Sequence, residues 1–323
     1  MPKVLSRVTS VIWVLFLALS FACVQQEDEG NVENTESSGL AKRAIKGKQS
    51  LADGSLYEGE LSRGKPNGYG IRNYANGDRY EGEHRNGFLH GYGVYQYKSS
   101  DELESYSGLW ESGKREGFGA LVLPDSSRME GYWKNDRLLY GEYQGSDGVI
   151  LAGKWRGSTL SEGRKKTHLN EEFTGSFNPD GSFRHGTFLA ANGDLYTGAF
   201  QSDLYHGKGI LERADRSVYV GSFEEGMFSG IGALAEADGK TYSGKFEKGL
   251  QHGYGVQEDP DGVTYAGTWL EGVKSGAGVL DFGDGTSFTG EFRAGLAVQG
   301  SYDWGNGKIT DSYQDENGDW RDR

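Results

Sequence analysis

The chain has 323 residues and combines 53 glycines with 19 tyrosines, 15 phenylalanines and 7 tryptophans, which indicates a core of aromatic rings rather than the usual aliphatic one. A formal net charge of −13 makes nucleic acid and anionic lipid headgroups poor partners for the surface as a whole. The single cysteine excludes a disulfide within one chain.

Residues 1–23 have the pattern of an export signal. Lys3 and Arg7 supply positive charge, and the apolar run of residues 11–22 is about as long as the apolar region of a signal peptide and short for a membrane span. Cys23 follows directly and resembles the acylated cysteine with which mature bacterial lipoproteins begin. The resemblance implies a lipid anchor in the bacterial envelope. Because the next residue, Val24, is not Asp, it also implies the outer membrane. The alternative is ordinary cleavage, with Cys23 incidental.

Residues 24–50 contain no aromatic residue and little apolar surface. Such a segment cannot bury enough surface to offset the entropy of ordering, so we predict a flexible tether. A flexible chain of this length spans on average roughly 30 Å, which would hold the following residues away from a membrane surface.

A short unit then recurs eleven times, at intervals of 22 to 26 residues. Self-similarity at a fixed period is the signature of a repeat architecture. The copies begin at Tyr57, Tyr80, Tyr106, Met129, Leu151, Phe173, Tyr196, Tyr219, Tyr242, Tyr265 and Phe288.

The first half of each copy has the pattern of a β-strand. A bulky residue, a glycine and a second bulky residue stand at positions i, i+2 and i+4, which point to one face of a strand. Since glycine weakens a strand, its constant presence indicates that rings from neighbouring strands lie over the bare backbone there. The regular copies hold this glycine at Gly59, Gly82, Gly108, Gly198, Gly221, Gly244, Gly267 and Gly290.

The second half of each copy predicts a return strand. In seven copies a complete Gly-x-Gly step leads into a second short strand, and the strand often leads into Asn-Gly or Asp-Gly, which favour hairpin turns. Each copy is therefore predicted to be one hairpin. The fold class is all-β, an elongated single-layer antiparallel sheet of about eleven stacked hairpins of 23 residues. The aromatic residues between the two glycines of the step are candidate binding residues: Tyr69, Tyr92, Phe118 and Tyr254.

The repeat unit resembles the MORN repeat. The segments Tyr80-Glu-Gly82-Glu and Leu89-His-Gly91-Tyr-Gly93-Val-Tyr match its pattern of Tyr-Glu-Gly followed by Gly-x-Gly. The resemblance covers about residues 51–310, and it implies a long, twisted, single-layer sheet of hairpins.

The array is predicted to consist of two blocks, residues 51–139 and 173–310. Between them, residues 140–172 form an irregular joint, where the sheet bends or divides. The copies starting at Met129 and Leu151 have lost the complete Gly-x-Gly step.

The tail, residues 311–323, is polar and acidic. We predict a last strand fragment around Tyr313 and a frayed end. The charged residues of the tail would cap the edge of the sheet, where unpaired strands otherwise promote association.

No set of residues typical of catalysis stands out in the chain. Three histidines directly precede the first glycine of a complete Gly-x-Gly step and a fourth, His185, precedes the glycine of an incomplete one, so we interpret all four as a feature of the repeat. Neighbouring copies place them roughly 10 Å apart, too far for one zinc ion. We predict no catalytic residue, no metal site and no cofactor. These histidines are His90, His185, His206 and His252.

These observations favour an exported, membrane-anchored lipoprotein that acts as a non-catalytic scaffold for protein–protein interaction at the cell envelope. Its partner proteins are unknown, and the lipid on Cys23 is its only expected membrane contact. The alternatives are binding of glycans or cell-wall polymer through exposed aromatic residues, binding of phospholipid by the repeats, and an enzyme with its site in the 140–172 joint. A homodimer through the sheet edges or an aromatic face is a further possibility.

Overall fold

The computed structural model describes residues 45–322, which form 25 β-strands in one sheet. Each strand is antiparallel to the strands before and after it in the chain. No helix occurs among the described residues. The prediction of an all-β array of hairpins in one antiparallel sheet is confirmed.

The strands have the following bounds: β1 Ile45–Ser50, β2 Leu56–Ser62, β3 Lys65–Asn73, β4 Arg79–Arg85, β5 Phe88–Gln96, β6 Ser105–Glu111, β7 Lys114–Val122, β8 Arg128–Lys134, β9 Arg137–Gln144, β10 Ile150–Arg156, β11 Thr159–Lys166, β12 Glu172–Phe177, β13 Phe183–Leu189, β14 Leu195–Gln201, β15 Leu204–Glu212, β16 Val218–Glu224, β17 Met227–Ala235, β18 Thr241–Glu247, β19 Leu250–Glu258, β20 Thr264–Leu270, β21 Val273–Asp281, β22 Ser287–Arg293, β23 Leu296–Asp303, β24 Ile309–Gln314 and β25 Trp320–Asp322.

The sheet begins earlier than the sequence predicts. The predicted export signal, Cys23 and most of the predicted tether lie outside the described residues. The last six residues of the tether, however, form β1 and pair with β2. The pairing sets Lys46 opposite Glu60 and Lys48 opposite Glu58, with an ion pair of 2.8 Å between Lys48 Nζ and Glu58 Oε2. Opposite charges and backbone pairing therefore order a segment that has no aromatic residue.

The sheet continues through residues 140–172, where the sequence predicts an irregular joint. Strands β9 to β12 pair in order, with Gly141 opposite Gly153 and Gly163 opposite Gly175. What changes there is the packing. Ring-to-ring contacts run from the first copy to Trp133 and resume at Phe173, because the copies between them begin with aliphatic residues. The joint is thus an interruption in ring packing within continuous strand pairing.

The tail adds two strands to the end of the sheet. Trp320 of β25 packs against Phe288 and Tyr302, with both ring centroids 5.0 Å away. Arg321 donates from Nε to Asp315 Oδ2 at 3.0 Å. The short, charged β25 is typical of edges that resist pairing with another chain.

Tyrosine rings lie over paired glycines on one face of the sheet. In the β16–β17 hairpin, Gly221 is opposite Gly232, and a methyl group on either would overlap the ring of Tyr219. Tyr219 is 1% exposed and its hydroxyl donates to Ser222 O at 3.0 Å. Burial raises the pKa of Tyr219 to about 12. The same bond to the carbonyl three residues on is made by Tyr57, Tyr80, Tyr106, Tyr196, Tyr242 and Tyr265.

Each of these rings also joins two successive copies. Tyr219 meets Phe223 of its own strand and Phe246 of the next copy edge-on, both at 5.1 Å, and it stacks on Phe228 at 3.7 Å. Edge-to-face pairs add stabilisation beyond the area that they bury. Stability on this face, which we call the packed face, therefore arises between neighbouring hairpins, as expected for a repeat array.

His84 occupies the ring position of the second copy. It is 3% exposed and lies edge-on to Tyr57 and Tyr80, at 4.9 and 5.1 Å. Its Nδ1 lies 3.1 Å from Gly82 O and must carry the proton, since a carbonyl only accepts. Its Nε2 has no hydrogen-bond partner among residues 45–322. Burial lowers the pKa of His84 to about 4.

Substitution of the glycine pair tests the packing of the rings. We expect Gly221→Ala to lower the free energy of unfolding by about 1–3 kcal/mol, because the new methyl group must displace the Tyr219 ring. Gly47→Ala is the matched control, since its methyl group meets only the flexible end of Leu61, and we expect a change within about 0.5 kcal/mol. Urea denaturation followed by circular dichroism measures both. Equal losses would contradict the proposed role of the rings.

His84→Phe tests the cost of the buried imidazole. His84 stays neutral in the folded chain down to a pKa of about 4, whereas an unfolded histidine titrates near 6.5. The wild type should therefore lose stability as the pH falls from 6.5 to 4, by at most about 1.4 kcal/mol per pH unit from this residue. The variant lacks this contribution. Its free energy of unfolding relative to that of the wild type, measured by urea denaturation, should therefore rise between pH 7 and pH 4.5. A stability difference between variant and wild type that does not change with pH would rule out the titration of His84 as its cause.

Candidate binding surface

The face opposite the tyrosine rings, which we call the open face, carries the candidate binding residues. In the β4–β5 hairpin its two central rows are formed by Glu81 and Glu83 on one strand and by Tyr92 and Val94 on the other. Their side chains alternate with the buried residues of the packed face, as strand geometry requires. Each hairpin thus presents two central rows of side chains on the open face, with further residues at its margins.

All four candidate aromatic residues lie on this face and are exposed. Tyr69 is 53%, Tyr92 57%, Phe118 59% and Tyr254 68% exposed. The structure brings only Tyr92 and Phe118 into one continuous surface. Tyr69 lies opposite Glu83. Tyr254 is on β19, far along the sheet, and lies opposite a threonine.

Tyr92 and Phe118 belong to a stripe of large side chains that crosses five consecutive strands, β5 to β9. Tyr92 is opposite Leu109, Phe118 is opposite Tyr132, and Tyr132 is opposite Tyr140. Leu109 lies over Gly117 of the next strand, which closes the gap to Phe118. These residues are between 42% and 59% exposed. We call them the aromatic stripe: Tyr92, Leu109, Phe118, Tyr132 and Tyr140.

Sequence reasoning missed Leu109, Tyr132 and Tyr140. Tyr140 directly precedes Gly141, as Phe118 directly precedes Gly119, but its copy lacks the first glycine of the step. A search for the residue before the second glycine alone would have found it. Tyr132 and Leu109 occupy position i+3, which holds charged or small residues in most other copies.

The stripe is bordered by a row rich in glutamate. Following the pairing from β4 to β9, the second row of the open face contains three carboxylates. Arg79 and Arg128, at the margin of the face, bond to Glu81 and Glu130 at 2.5 and 2.6 Å. The row is made up of Glu81, Val94, Ser107, Ala120, Glu130 and Glu142.

A shallow concavity of about 640 Å³ lies further along the open face, over β13 to β18. Its lining includes Ile210, Val220, Ile231 and Ala233 together with Lys208, and no acidic residue. Small and β-branched side chains replace the rings here. The open face therefore has two regions of different chemistry, one aromatic and acidic and one aliphatic.

The histidine column shows no arrangement suited to a metal ion. His185 and His206 both flank Ala199 from neighbouring strands, and His252 Nε2 lies 3.6 Å from Glu247 Oε2. Over residues 45–322, no three His, Cys, Asp or Glu side chains converge closely enough to hold a metal. In the same range, no helix is long and apolar enough to cross a membrane.

Comparison with solved structures gives only distant similarity. The TCP10 domain of Danio rerio CPAP in complex with a STIL peptide is 12% identical, with 83% of this chain and 98% of that chain covered and a TM-score of 0.21. The TCP domain of Drosophila melanogaster SAS-4 (dCPAP) with a proline-rich motif of Ana2 is 14% identical, with 58% and 96% covered and a TM-score of 0.21. A catalytically inactive virginiamycin B lyase from Staphylococcus aureus with quinupristin is 11% identical, with 85% and 87% covered and a TM-score of 0.13. TM-scores this low leave these similarities without weight for function.

Comparison of sequences identifies the family. No curated protein matches the chain. The family model of the MORN repeat matches it eight times, and together the matches cover more than half of the chain, at residues 57–79, 80–102, 106–128, 196–218, 219–239, 242–264, 265–287 and 288–309. Each match coincides with successive strands of the sheet, and the unmatched residues 129–195 include the stretch where ring packing is interrupted. The chain belongs to the MORN-repeat family.

Proposed function

We propose that this MORN-repeat protein is an exported, lipid-anchored, non-catalytic scaffold that binds other proteins through the open face of its sheet. The observation that carries the proposal is the aromatic stripe. Its members remain at least 42% exposed on five consecutive strands, although the sheet already has a packed face for its own stability. Contiguous exposed apolar surface of this kind marks interaction sites, and tyrosine is enriched among the residues that contribute most to binding.

The proposed anchor is a lipid on Cys23. The apolar residues 11–22 and the resemblance of Cys23 to the acylation site of bacterial lipoproteins support it. The polar segment that follows would hold the sheet off the membrane. Because Val24 rather than Asp follows the cysteine, we propose the outer membrane as the location.

Binding of cell-wall glycan is the second candidate. Exposed rings on Tyr92, Tyr132 and Tyr140 suit stacking on sugars, and their hydroxyl groups can bond to sugar hydroxyls. Phospholipid is a weaker candidate for the stripe, because Glu130 and Glu142 would repel anionic headgroups.

A double substitution of the stripe tests the protein-scaffold proposal. We expect Phe118→Ser combined with Tyr132→Ser to lower the recovery of cross-linked partner proteins from mildly solubilised envelope at least about tenfold. Both side chains are exposed, so the fold should tolerate the change within about 0.5 kcal/mol per residue. Tyr254→Ser is the control, because Tyr254 is more exposed than any residue of the stripe but lies outside it.

Quantitative mass spectrometry of the cross-linked material measures this effect. Repeated recovery of the chain without any partner would refute the scaffold proposal. A wild-type chain that pulls down purified peptidoglycan, together with a double variant that does not, would support glycan binding instead.

Labelling with a palmitate analogue tests the anchor. We expect the full-length chain to incorporate the label in bacterial cells and Cys23→Ala to lose it completely, because Cys23 is the only thiol in the chain. The variant should also move from the membrane to the soluble fraction. Ser20→Ala is the control, since it alters the same segment and keeps the thiol. Equal labelling of the wild type and Cys23→Ala would contradict the proposal.

A further inference from the structure

The two central rows of the open face, which contain the aromatic stripe, are negatively charged on β4 to β9. They hold four glutamates and neither lysine nor arginine, while basic residues lie at the margins of the face, at Arg79, Arg85, Arg128 and Lys134. Arg79 and Arg128, at the margin of the face, donate to two of these glutamates, Glu81 and Glu130. Among the described residues, the other two have no basic partner: Glu83 and Glu142.

These two carboxylates lie close to the rings. Glu142 follows Tyr140 by two residues on one strand, a separation of roughly 6.8 Å on the same face. Glu83 lies against Gly91, beside Tyr92. A cation placed between ring and carboxylate would interact with both, since ring faces attract ammonium and guanidinium groups within about 6 Å. Glu142 Oε1 accepts from Gln144 Nε2 at 2.6 Å, which leaves its negative charge uncompensated. Each end of the stripe therefore offers a cation a ring and a carboxylate that has no basic partner among the described residues.

The chain itself shows how this face receives lysines. At the N-terminal edge, β1 places Lys46 opposite Glu60 and Lys48 opposite Glu58, in the same two rows. Lys48 Nζ lies 2.8 Å from Glu58 Oε2. Glu58 of β2 thus has a basic partner supplied by the chain, whereas Glu83 and Glu142 beside the stripe have none among the described residues.

Charge also argues against two other occupants of the stripe. A second copy placed with its stripe on the first would bring Glu83 and Glu142 toward the same residues of its partner, and like charges across an interface are costly. An anionic membrane surface would meet the same carboxylates. Lysine or arginine residues of a partner protein would instead complete the pairing.

We infer that the aromatic stripe binds a segment of a partner protein that carries lysine or arginine beside apolar side chains. The apolar side chains cover Leu109 and Phe118, and the basic ones bond to Glu83 and Glu142 at the two ends. This inference rests on the proposed function and names the chemistry of the partner that this surface selects.

Two synthetic peptides of fifteen residues test the inference. They share one pattern of leucine residues and differ only in having lysine or glutamate at the polar positions. Fluorescence anisotropy with the full-length chain in a non-ionic detergent measures their binding, and a titration of detergent alone corrects for uptake by micelles. We expect the lysine peptide to bind at least about tenfold more tightly than the glutamate peptide, and to weaken as salt rises.

Two conservative variants locate the binding. Glu83→Gln combined with Glu142→Gln should weaken binding of the lysine peptide at least about tenfold and make that binding less dependent on salt. Glu291→Gln is the matched control, because Glu291 lies on the open face of β22, far from the stripe. Phe118→Ser combined with Tyr132→Ser should abolish binding of the lysine peptide.

Other outcomes would overturn the inference. Equal binding of both peptides would show that charge does not select the partner. An equal loss with Glu291→Gln would assign the effect to the overall negative charge. Sedimentation that shows a dimer lost in the stripe variants would identify a second copy as the occupant. If the stripe variants still lose envelope proteins on cross-linking while the lysine and glutamate peptides bind equally well, this inference fails and the proposed function stands.

Discussion

The structure depends on the contact between a tyrosine ring and the two glycines beneath it. A side chain at either glycine would overlap the ring, and the rings of Phe173 and Phe288 cover their glycine pairs in the same way. The ring then meets a second ring of its own strand and one of the next copy. One interaction thus sets the i, i+2, i+4 spacing, the pairing of glycine with glycine, and the stacking of copies in a single order.

Because the rings pack on one face only, the side chains of the open face are not needed for that packing. Its rows can change from copy to copy without loss of ring packing. They are glutamate-rich and aromatic on β4 to β9, and small and β-branched over β13 to β18. A fold that stabilises itself between neighbours in this way can present several different surfaces along one sheet.

Much of the fold follows from the sequence, because the tyrosine–glycine contact leaves a periodic trace. The hairpins and the glycine column could both be predicted. The strand β1 could not, since it carries no ring and is held by backbone pairing with β2 and by the ion pair of Lys48 with Glu58. Of the aromatic stripe, Tyr92 and Phe118 were predictable. Tyr140 could have been found from its place before Gly141, but Tyr132 could not, since neighbours across strands depend on register in copies whose glycine step is incomplete.

The copy that starts at Met129 therefore contributes to the proposed binding surface, which matching of the repeat alone does not show. Residues 129–144 lie outside the MORN matches and lack a ring at the first position of the unit, yet they contribute Tyr132 and Tyr140 to the exposed stripe. Trp133 and Tyr143 still lie on the packed face of these strands, while Tyr132 and Tyr140 lie opposite each other on the open face. A stretch that lacks the first ring of the unit but places two exposed rings opposite each other is better explained by binding than by neutral drift of a structural unit.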